Sequence, residues 1–394
     1  MNQFFQNMDY NSLDSEIIER DFDAFVSFRN ASDENQYYLT KFNCHSNFLF
    51  VRTGGKSIIL TPHLEVKRAI EQAEVDEVYS MNEYIQDDIR GRENKENKLI
   101  KRFLEDFNIS SVLLMPDVSY NTVKSFENLG LRTGILENSI LGFRKKKSRE
   151  EIKMLREAQK QTEKAMDFAR KILSGCEVSE EGFLIYNGDK LTSDILKKEI
   201  HKFLIDRGFS IKEFIIVSGK EGYNPHNYGS GVLHENEPIL LDIFPRNNEN
   251  KYWGDMTRTF VKGEVSEEVN QMYEATKEAF DKSLEVLEEG AGVKCCEIHN
   301  SVCDVYEKHG FDTIRDGNIE EGFLHSTGHG IGLSLHEPPR IAGNEDILKE
   351  GYAVTIEPGL YKKNIGAVRF EDMIIVRKDG YENVNDFDYS MSLD

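Results

Sequence analysis

The strongest constraint on the fold is a pair of apolar, strand-like regions that each carry two acidic residues. Asp242 lies inside the apolar run ILLDIF, and Asp255 follows thirteen residues later in WGDMTRTF. Glu357 lies in AVTIEPG, and Glu371 follows fourteen residues later in VRFEDMIIV. An ionised carboxylate is costly to bury among leucines and isoleucines unless something compensates its charge. The matched spacing predicts two β-hairpins that present four carboxylates to one centre.

Each acid alone has a simpler explanation, which is exposure to solvent or pairing with an arginine such as Arg258 or Arg369. That explanation becomes poor for four acids at matched spacing, because converging carboxylates repel one another. A pair of divalent cations is the simplest way to neutralise them.

A glycine-rich segment, HSTGHGIGLSLHEPPR, contributes His325, His329 and His336. The interleaved glycines disfavour a helix and favour extended backbone close to a site. We expect one of the three histidines to bind metal directly. Four carboxylates and one imidazole suit Mn²⁺ or Co²⁺, with Zn²⁺ possible. Two such ions, about 3.5–4 Å apart, would share bridging carboxylates and a bridging hydroxide that attacks a polarised carbonyl.

The chain of 394 residues is long enough for two domains. YYLTKF, HSNFLFVRTGG and KSIILTP predict short strands, and the strand–helix alternation after them is typical of an α/β domain, which we assign to residues 1–143. Ser148 and Glu151 have the spacing of a capping box before a long helix. From residue 144 to 394, two blocks of helices followed by a hairpin indicate weak internal symmetry.

The composition of the chain limits the kinds of molecule that we expect it to bind. There are 49 basic and 70 acidic residues, a net charge of −21, which disfavours nucleic acid. Neither an apolar run of membrane-spanning length nor a secretory signal is evident, so we expect a soluble protein with no membrane partner. Five irregularly spaced cysteines indicate reduced thiols and a cytoplasmic location.

The acidic and histidine segments resemble the metallopeptidase family with the pita-bread fold, which includes proline dipeptidase, aminopeptidase P and methionine aminopeptidase. The family pattern reads here as LLDIF, DMTRTF, HSTGHGIGLSLHEPP, TIEPGLY and VRFED, and it covers roughly residues 148–390. The resemblance implies an α/β (α+β) chain with a creatinase-like N-terminal domain and a pita-bread catalytic domain of pseudo-twofold halves. The N-terminal third favours the Xaa-Pro dipeptidase and aminopeptidase P branch over methionine aminopeptidases, which usually lack such a domain.

The resemblance also implies a role for each metal ligand. Asp242 would chelate one metal, and Asp255 and Glu371 would bridge both. His329 and Glu357 would complete the other metal. Glu357 would in addition handle the proton of the nucleophile.

Further residues are implied to touch the substrate or to support the ligands. His226, in YNPHNYGSG, matches a histidine that contacts the substrate, and His336 would hydrogen-bond the scissile carbonyl or its tetrahedral product. His325 would line the proline pocket. Arg369 lies two residues before Glu371, so the two side chains are expected on one strand face, where Arg369 would orient that carboxylate.

Tyr361 would act like Arg369, although ordinary packing or ion pairing explains both residues about as well. Two departures from the family pattern are the bulky Phe244 and a longer loop over 245–251, PRNNENK. Neither removes a ligand, but both bear on the shape of the substrate pocket.

The activity implied by the resemblance is metal-dependent hydrolysis of the Xaa-Pro bond in short peptides, as a dipeptidase or an aminopeptidase, by a homodimer. The alternatives are a metallohydrolase or lyase on the same scaffold with another substrate, and a non-catalytic peptidase-like binding protein. The five intact ligand positions argue against the binding protein, whereas Phe244 and the long loop keep a different substrate open.

Overall fold

The chain divides into two compact units, one up to Arg144 and one from Lys145 onward. The structure is a computed structural model and describes residues 10–85, 95–137, 140–316 and 319–393. Both units mix helices with strands, which confirms the predicted α/β class. None of the described helices is at once long enough and apolar enough to cross a membrane.

The first unit is built on a six-stranded mixed sheet. Its strands are β1 (Ala24–Arg29), β2 (Phe48–Thr53), β3 (Lys56–Thr61), β4 (Glu77–Ser80), β5 (Ser111–Leu114) and β6 (Arg132–Ile135). Its helices are α1 (Asn11–Glu19), α2 (Glu34–Thr40), α3 (Val66–Gln72), α4 (Lys95–Asp106), α5 (Tyr120–Asn128) and α6 (Ile140–Arg144). The strand order is β4-β3-β2-β1-β5-β6, with the central strands antiparallel and the outer ones parallel to their neighbours.

The prediction of a strand at YYLTKF was wrong, because Tyr37, Tyr38 and Leu39 lie in α2. The side chain of Asp33 accepts a hydrogen bond from the Gln36 amide and caps the helix. All three residues of the apolar run are buried, so tertiary packing overrides the strand preference of its aromatic side chains.

The second unit contains the acidic and histidine segments. Its helices are α7 (Arg149–Ser174), α8 (Ser193–Ile205), α9 (Glu267–Leu287) and α10 (Cys295–Lys308). Its strands are β7 (Glu177–Val178), β8 (Leu184–Tyr186), β9 (Asp189–Lys190), β10 (Phe209–Ser210), β11 (Ile215–Ser218), β12 (Ile239–Ile243), β13 (Arg246–Asn247), β14 (Met256–Phe260), β15 (Ile314–Asp316), β16 (Ile319–Glu321), β17 (Gly328–Gly330), β18 (Glu337–Ile341), β19 (Ala353–Ile356), β20 (Gly359–Lys362), β21 (Gly366–Arg369), β22 (Asp372–Val376) and β23 (Tyr381–Asn383).

The helix α7 begins at the predicted capping box. The Ser148 hydroxyl accepts from the Glu151 amide, and the Glu151 carboxylate accepts from the Ser148 amide, which confirms the prediction. The buried side chains of α7 recur every three or four residues, so one stripe of the helix faces the core. That stripe includes Glu151, Ile152, Leu155, Ala158, Gln159, Thr162, Ala165, Met166, Ala169, Ile172 and Leu173.

Two similar halves follow, each with a helix pair and a sheet. In the first half, α7 and α8 accompany the sheet β11-β12-β14. In the second half, α10 packs beside the sheet β18-β17-β19-β22-β23 and α9 beside the hairpin β20-β21. An isolated antiparallel bridge between Thr257 and Glu371 joins the two sheets.

The buried guanidinium of Arg258 strengthens this junction. It donates to the Asp372 carboxylate at 2.8 Å and to the backbone oxygen of Glu371 at 3.0 Å. Arg258 and Asp372 are both nearly inaccessible to solvent, and Asp372 also accepts from Asn383 and Tyr389. Arg258 therefore neutralises Asp372 and is not paired with any of the four predicted metal-binding acids.

Replacing Asp372 by alanine should lower the free energy of unfolding by about 3–5 kcal/mol, because it leaves the buried Arg258 charge without its partner. Urea unfolding followed by the fluorescence of Trp253, the single tryptophan, measures the change. Asp281→Ala, which breaks the exposed Lys277–Asp281 pair, should cost no more than about 0.5 kcal/mol. Equal losses in both variants would contradict the account of Arg258.

Candidate metal centre

The four acids lie at the adjoining ends of the two hairpins. Asp242 is in β12 and pairs with Thr257 in the ladder, whereas Asp255 directly precedes β14. In the second half, Glu357 directly follows β19 and Glu371 directly precedes β22, just beyond the last pair of that ladder. The bridge between Thr257 and Glu371 brings the two hairpin ends together.

The imidazole of His329 stands among three of these acids. Its Nδ1 lies 3.1 Å from the backbone oxygen of Gly330, so Nδ1 carries the proton and Nε2 keeps its lone pair. His329 Nε2 is 3.5 Å from Asp255, 3.6 Å from Glu357 and 3.9 Å from Glu371. These distances are longer than an ordinary N–H···O hydrogen bond. They leave a gap that is lined by the lone pairs of Nε2 and of the carboxylate oxygens.

Two further observations fit a cation in that gap. Asp255, His329 and Glu371 each offer a ligand atom, and these atoms lie within 4.8 Å of one another. Asp242 Oδ1 is buried and has no hydrogen-bond partner among the described residues, while Asp242 Oδ2 pairs with Arg369. A buried carboxylate oxygen without a partner is costly, and a bound cation would remove that cost.

Burial shifts the pKa values of the four acids and of His329 in the metal-free protein. Burial raises the pKa of all four carboxyl groups, and for Asp255 the neighbouring charges of Glu371, Asp242 and Glu357 add to the effect. The pKa of Glu357 rises to about 8. Burial lowers the pKa of His329 to about 3, so its imidazole is neutral and able to bind metal.

Arg369 lies in the site and reaches Glu371 through a neighbouring hydroxyl. Its guanidinium donates to Thr257 Oγ1 at 3.1 Å and to Tyr361 Oη at 2.8 Å, and it pairs with Asp242. The predicted role of orienting Glu371 stays a prediction, since the Thr257 hydroxyl lies between the two side chains.

Thr257 holds the Glu371 carboxylate directly. Its hydroxyl donates to Glu371 Oε2 at 2.7 Å and accepts from Arg369 Nε. We did not predict this role for Thr257 from the sequence. The available signal was its place in the DMTRTF segment, in the strand that pairs with the strand of Asp242.

His325 is held on both ring nitrogens. Its Nδ1 lies 2.8 Å from the backbone oxygen of Ser326 and must donate, so Nε2 accepts from the Tyr361 hydroxyl at 2.9 Å. Burial lowers the pKa of His325 to about 3, which keeps the ring neutral. Tyr361 thus links His325 to Arg369.

The acids lie in a cavity of about 890 Å³. His226, His325 and His336 line it, as does Phe244, so the structure brings every sequence-predicted histidine to the same cavity. The His336 ring packs edge-on against His329 with centroids 4.3 Å apart. Arg340, which the sequence analysis did not single out, also lines the cavity and is exposed.

The segment that carries His336 is anchored on both sides. The indole Nε1 of Trp253 donates to the Leu333 oxygen at 3.0 Å. Glu337, which follows His336, forms an ion pair of 2.7 Å with Lys147, and both side chains are 1% exposed. These contacts fix the backbone on either side of His336.

Sequence comparison places both units in known families. Metallopeptidase family M24 matches residues 153–378, and the creatinase/prolidase N-terminal domain matches residues 10–132. An Xaa-Pro dipeptidase of Pyrococcus horikoshii is 27% identical over 383 residues, covering 95% of this chain and 93% of that protein. An Xaa-Pro dipeptidase of Pyrococcus furiosus is 27% identical over 274 residues, covering 67% and 75% respectively.

Solved structures share the fold. The prolidase from Pyrococcus horikoshii OT3 superposes with a TM-score of 0.75 at 23% identity, over 95% of this chain and 97% of that one. The Xaa-Pro dipeptidase from Bacillus anthracis gives a TM-score of 0.79 at 22% identity, over 97% and 98%. With its catalytic unit matched across more than half of its length, the chain belongs to metallopeptidase family M24 and carries the N-terminal domain of creatinases and prolidases.

Proposed function

We propose that the protein hydrolyses the Xaa-Pro bond of short peptides with divalent metal ions held by Asp242, Asp255, His329, Glu357 and Glu371. The observation that carries the proposal is the cluster of buried carboxylates around the unprotonated Nε2 of His329, in a cavity of about 890 Å³. The Xaa-Pro dipeptidases among the relatives support the choice of bond.

The residues present fit two divalent cations. Four oxygen ligands and one imidazole favour Mn²⁺ or Co²⁺, with Zn²⁺ possible. The partnerless Asp242 Oδ1 is the atom that most needs such a cation. When bound, the ions polarise the scissile carbonyl and activate water for attack near neutral pH.

The protein's own groups would handle the proton and the substrate. Glu357, once a bound cation has displaced its proton, would take the proton of the attacking water and pass it to the leaving nitrogen. His336 would hydrogen-bond the oxygen that gains charge, and His226 would contact the substrate from the opposite segment. His325 offers a neutral ring to the proline, because both of its nitrogens are engaged within the protein.

An Xaa-Pro bond suits this arrangement chemically. It is a tertiary amide that lacks an N–H, so peptidases that grip this group fail on it. A site that activates water and binds the carbonyl oxygen does not require that hydrogen.

The cavity also carries a charge suited to a free carboxylate. Arg340 and Arg369 are the two cations among the described lining residues, and Arg369 is buried against Asp242. The described part of the chain offers Arg340 no ion-pair partner, and its charge is close enough to lower the pKa of Glu357. We therefore favour dipeptides, whose proline carboxylate would pair with Arg340.

We propose domains at residues 1–143 and 144–394, a homodimer, and a reducing, cytoplasmic environment. The five cysteines are all unpaired, which supports the last of these. Sedimentation of the purified protein tests the dimer directly.

With Mn²⁺ or Co²⁺ added, the protein should cleave an Xaa-Pro dipeptide, and Asp255→Asn should lower kcat/KM by roughly 10³-fold through loss of metal-assisted charge stabilisation. Asp281→Asn, on the surface of α9, is the matched control and should keep full activity. If the wild type binds two metals yet cleaves neither dipeptide nor Xaa-Pro-Xaa tripeptide, the peptidase assignment is wrong and a different substrate must be sought.

Arg340→Met should raise KM for an Xaa-Pro dipeptide by about 10–100-fold, because a charge-assisted hydrogen bond is worth about 1.5–3 kcal/mol. The C-terminal amide of the same dipeptide should be almost unaffected by the substitution, since it lacks the carboxylate. Steady-state kinetics on the two substrates separate these cases. A uniform change on both substrates would argue against carboxylate recognition.

Metal affinity should rise with pH between pH 6 and 8, because a cation must displace the proton held by Glu357, whose pKa is shifted from 4.5 to about 8. For the same reason the metal-free protein should lose stability as pH rises through this range, since burial of Glu357 favours its neutral form. Calorimetric titration of metal-free protein with Mn²⁺ in several buffers measures both affinity and proton release. Affinity that does not change with pH would refute the prediction.

A further inference from the structure

The backbone of Asp255 lies outside the hydrogen-bonded ladder of β12 and β14. The last pair of the β12–β14 ladder joins Ile243 to Met256, so Asp255 comes one residue before the strand begins. Asp255 is nevertheless 3% exposed. Its peptide N–H and C=O therefore need partners from outside the ladder, because unpaired buried backbone groups are costly.

One side chain, Gln159 of α7, supplies both partners. The Asp255 amide donates to Gln159 Oε1 at 2.9 Å, and Gln159 Nε2 donates to the Asp255 oxygen at 2.9 Å. Gln159 is completely buried. A carboxamide carries a donor and an acceptor in one plane, so it pairs with a residue's N–H and C=O as a neighbouring strand would.

The residues before Asp255 also fit closely against α7. The Tyr252 hydroxyl donates to Glu151 at 2.5 Å. A side chain at Gly254 would approach the Thr162 hydroxyl to 2.2 Å, so only glycine fits there without a shift. The helix therefore sets the path by which the chain enters β14.

We propose that Gln159 is a positioning residue for the metal centre, which fixes the Asp255 peptide so that its carboxylate faces His329 and Glu371. The inference rests on the proposed metal-binding function. It extends that function to a helix whose residues do not themselves contribute a ligand. Asp255 would be the bridging ligand, so an error in its backbone position would weaken both metal sites.

Two substitutions separate the hydrogen bonds from the shape of the side chain. Gln159→Asn keeps the carboxamide but shortens the side chain by one methylene group, so the carboxamide no longer reaches the Asp255 peptide. Gln159→Met keeps the length of the side chain and loses both bonds. If Gln159→Met does not fold, Gln159→Asn decides the question.

Two control variants lie in the same helix. Gln161→Met removes a glutamine that hydrogen-bonds Glu157 at the helix surface. Leu173→Ala creates a cavity in the core near the far end of α7 and reports the effect of lost stability alone. Both should bind Mn²⁺ within about threefold of the wild type, because residues that share no contacts act independently.

The measurement is Mn²⁺ binding to metal-free protein by calorimetry and by quenching of Trp253, which lies two residues before Asp255. Both Gln159 variants should bind Mn²⁺ about 10–100-fold more weakly than the wild type, the usual effect of removing a group that orients a ligand. The Trp253 emission of the metal-free Gln159 variants should shift to longer wavelength as this segment loosens.

Wild-type affinity in a folded Gln159 variant would overturn the inference and leave the proposed function intact. An equal loss of affinity in Leu173→Ala would also overturn it, since stability alone would then explain the effect. Failure of the wild type itself to bind Mn²⁺ or Co²⁺ would instead remove the proposed function, and the inference with it.

Discussion

The structure depends on the burial of four carboxylates beside one neutral imidazole. Removing an ionised carboxylate from water costs several kcal/mol even after relaxation, and neighbouring like charges increase the cost. The raised pKa values of Asp242, Asp255, Glu357 and Glu371 express this strain in the metal-free protein. The Arg369 guanidinium neutralises Asp242, and divalent cations would neutralise the other three carboxylates.

The architecture makes this unfavourable arrangement possible. Asp255, Glu357 and Glu371 lie immediately outside strand ends, where the backbone departs from the ladder and points their side chains toward one centre. The glycines of the histidine segment let strands approach closely: a side chain at Gly328 would meet the Thr355 oxygen at 1.9 Å. The Arg258–Asp372 pair and the hydrogen bond from Thr257 to Glu371 then join the two halves beneath the site.

The sequence was sufficient for the parts that follow from spacing and polarity. Acids embedded in apolar runs, at similar separations in two blocks, predicted the paired hairpins and the centre between them. The sequence did not predict side-chain directions at positions where the backbone leaves regular strand geometry. Spacing predicted that Arg369 orients Glu371, but only the structure shows that the Thr257 hydroxyl lies between them and that Arg369 also contacts Asp242 and Tyr361.

Two further features, the helix at YYLTKF and the role of Gln159, depend on long-range contacts that the sequence does not reveal. YYLTKF has aromatic residues typical of a strand, yet a capping aspartate and a buried environment make it helical. Gln159 is one of three polar residues on the buried face of α7, and nothing local indicates that its partner lies 96 residues away. The hydrogen-bonding needs of Asp255 explain Gln159 only after the ladder is known.

The most direct test of the central claim is an anomalous difference map from a crystal soaked in Mn²⁺. The account predicts two peaks about 3.5–4 Å apart, enclosed by Asp242, Asp255, His329, Glu357 and Glu371. A well-ordered crystal with no peak there, or with peaks only among surface acids, would contradict it.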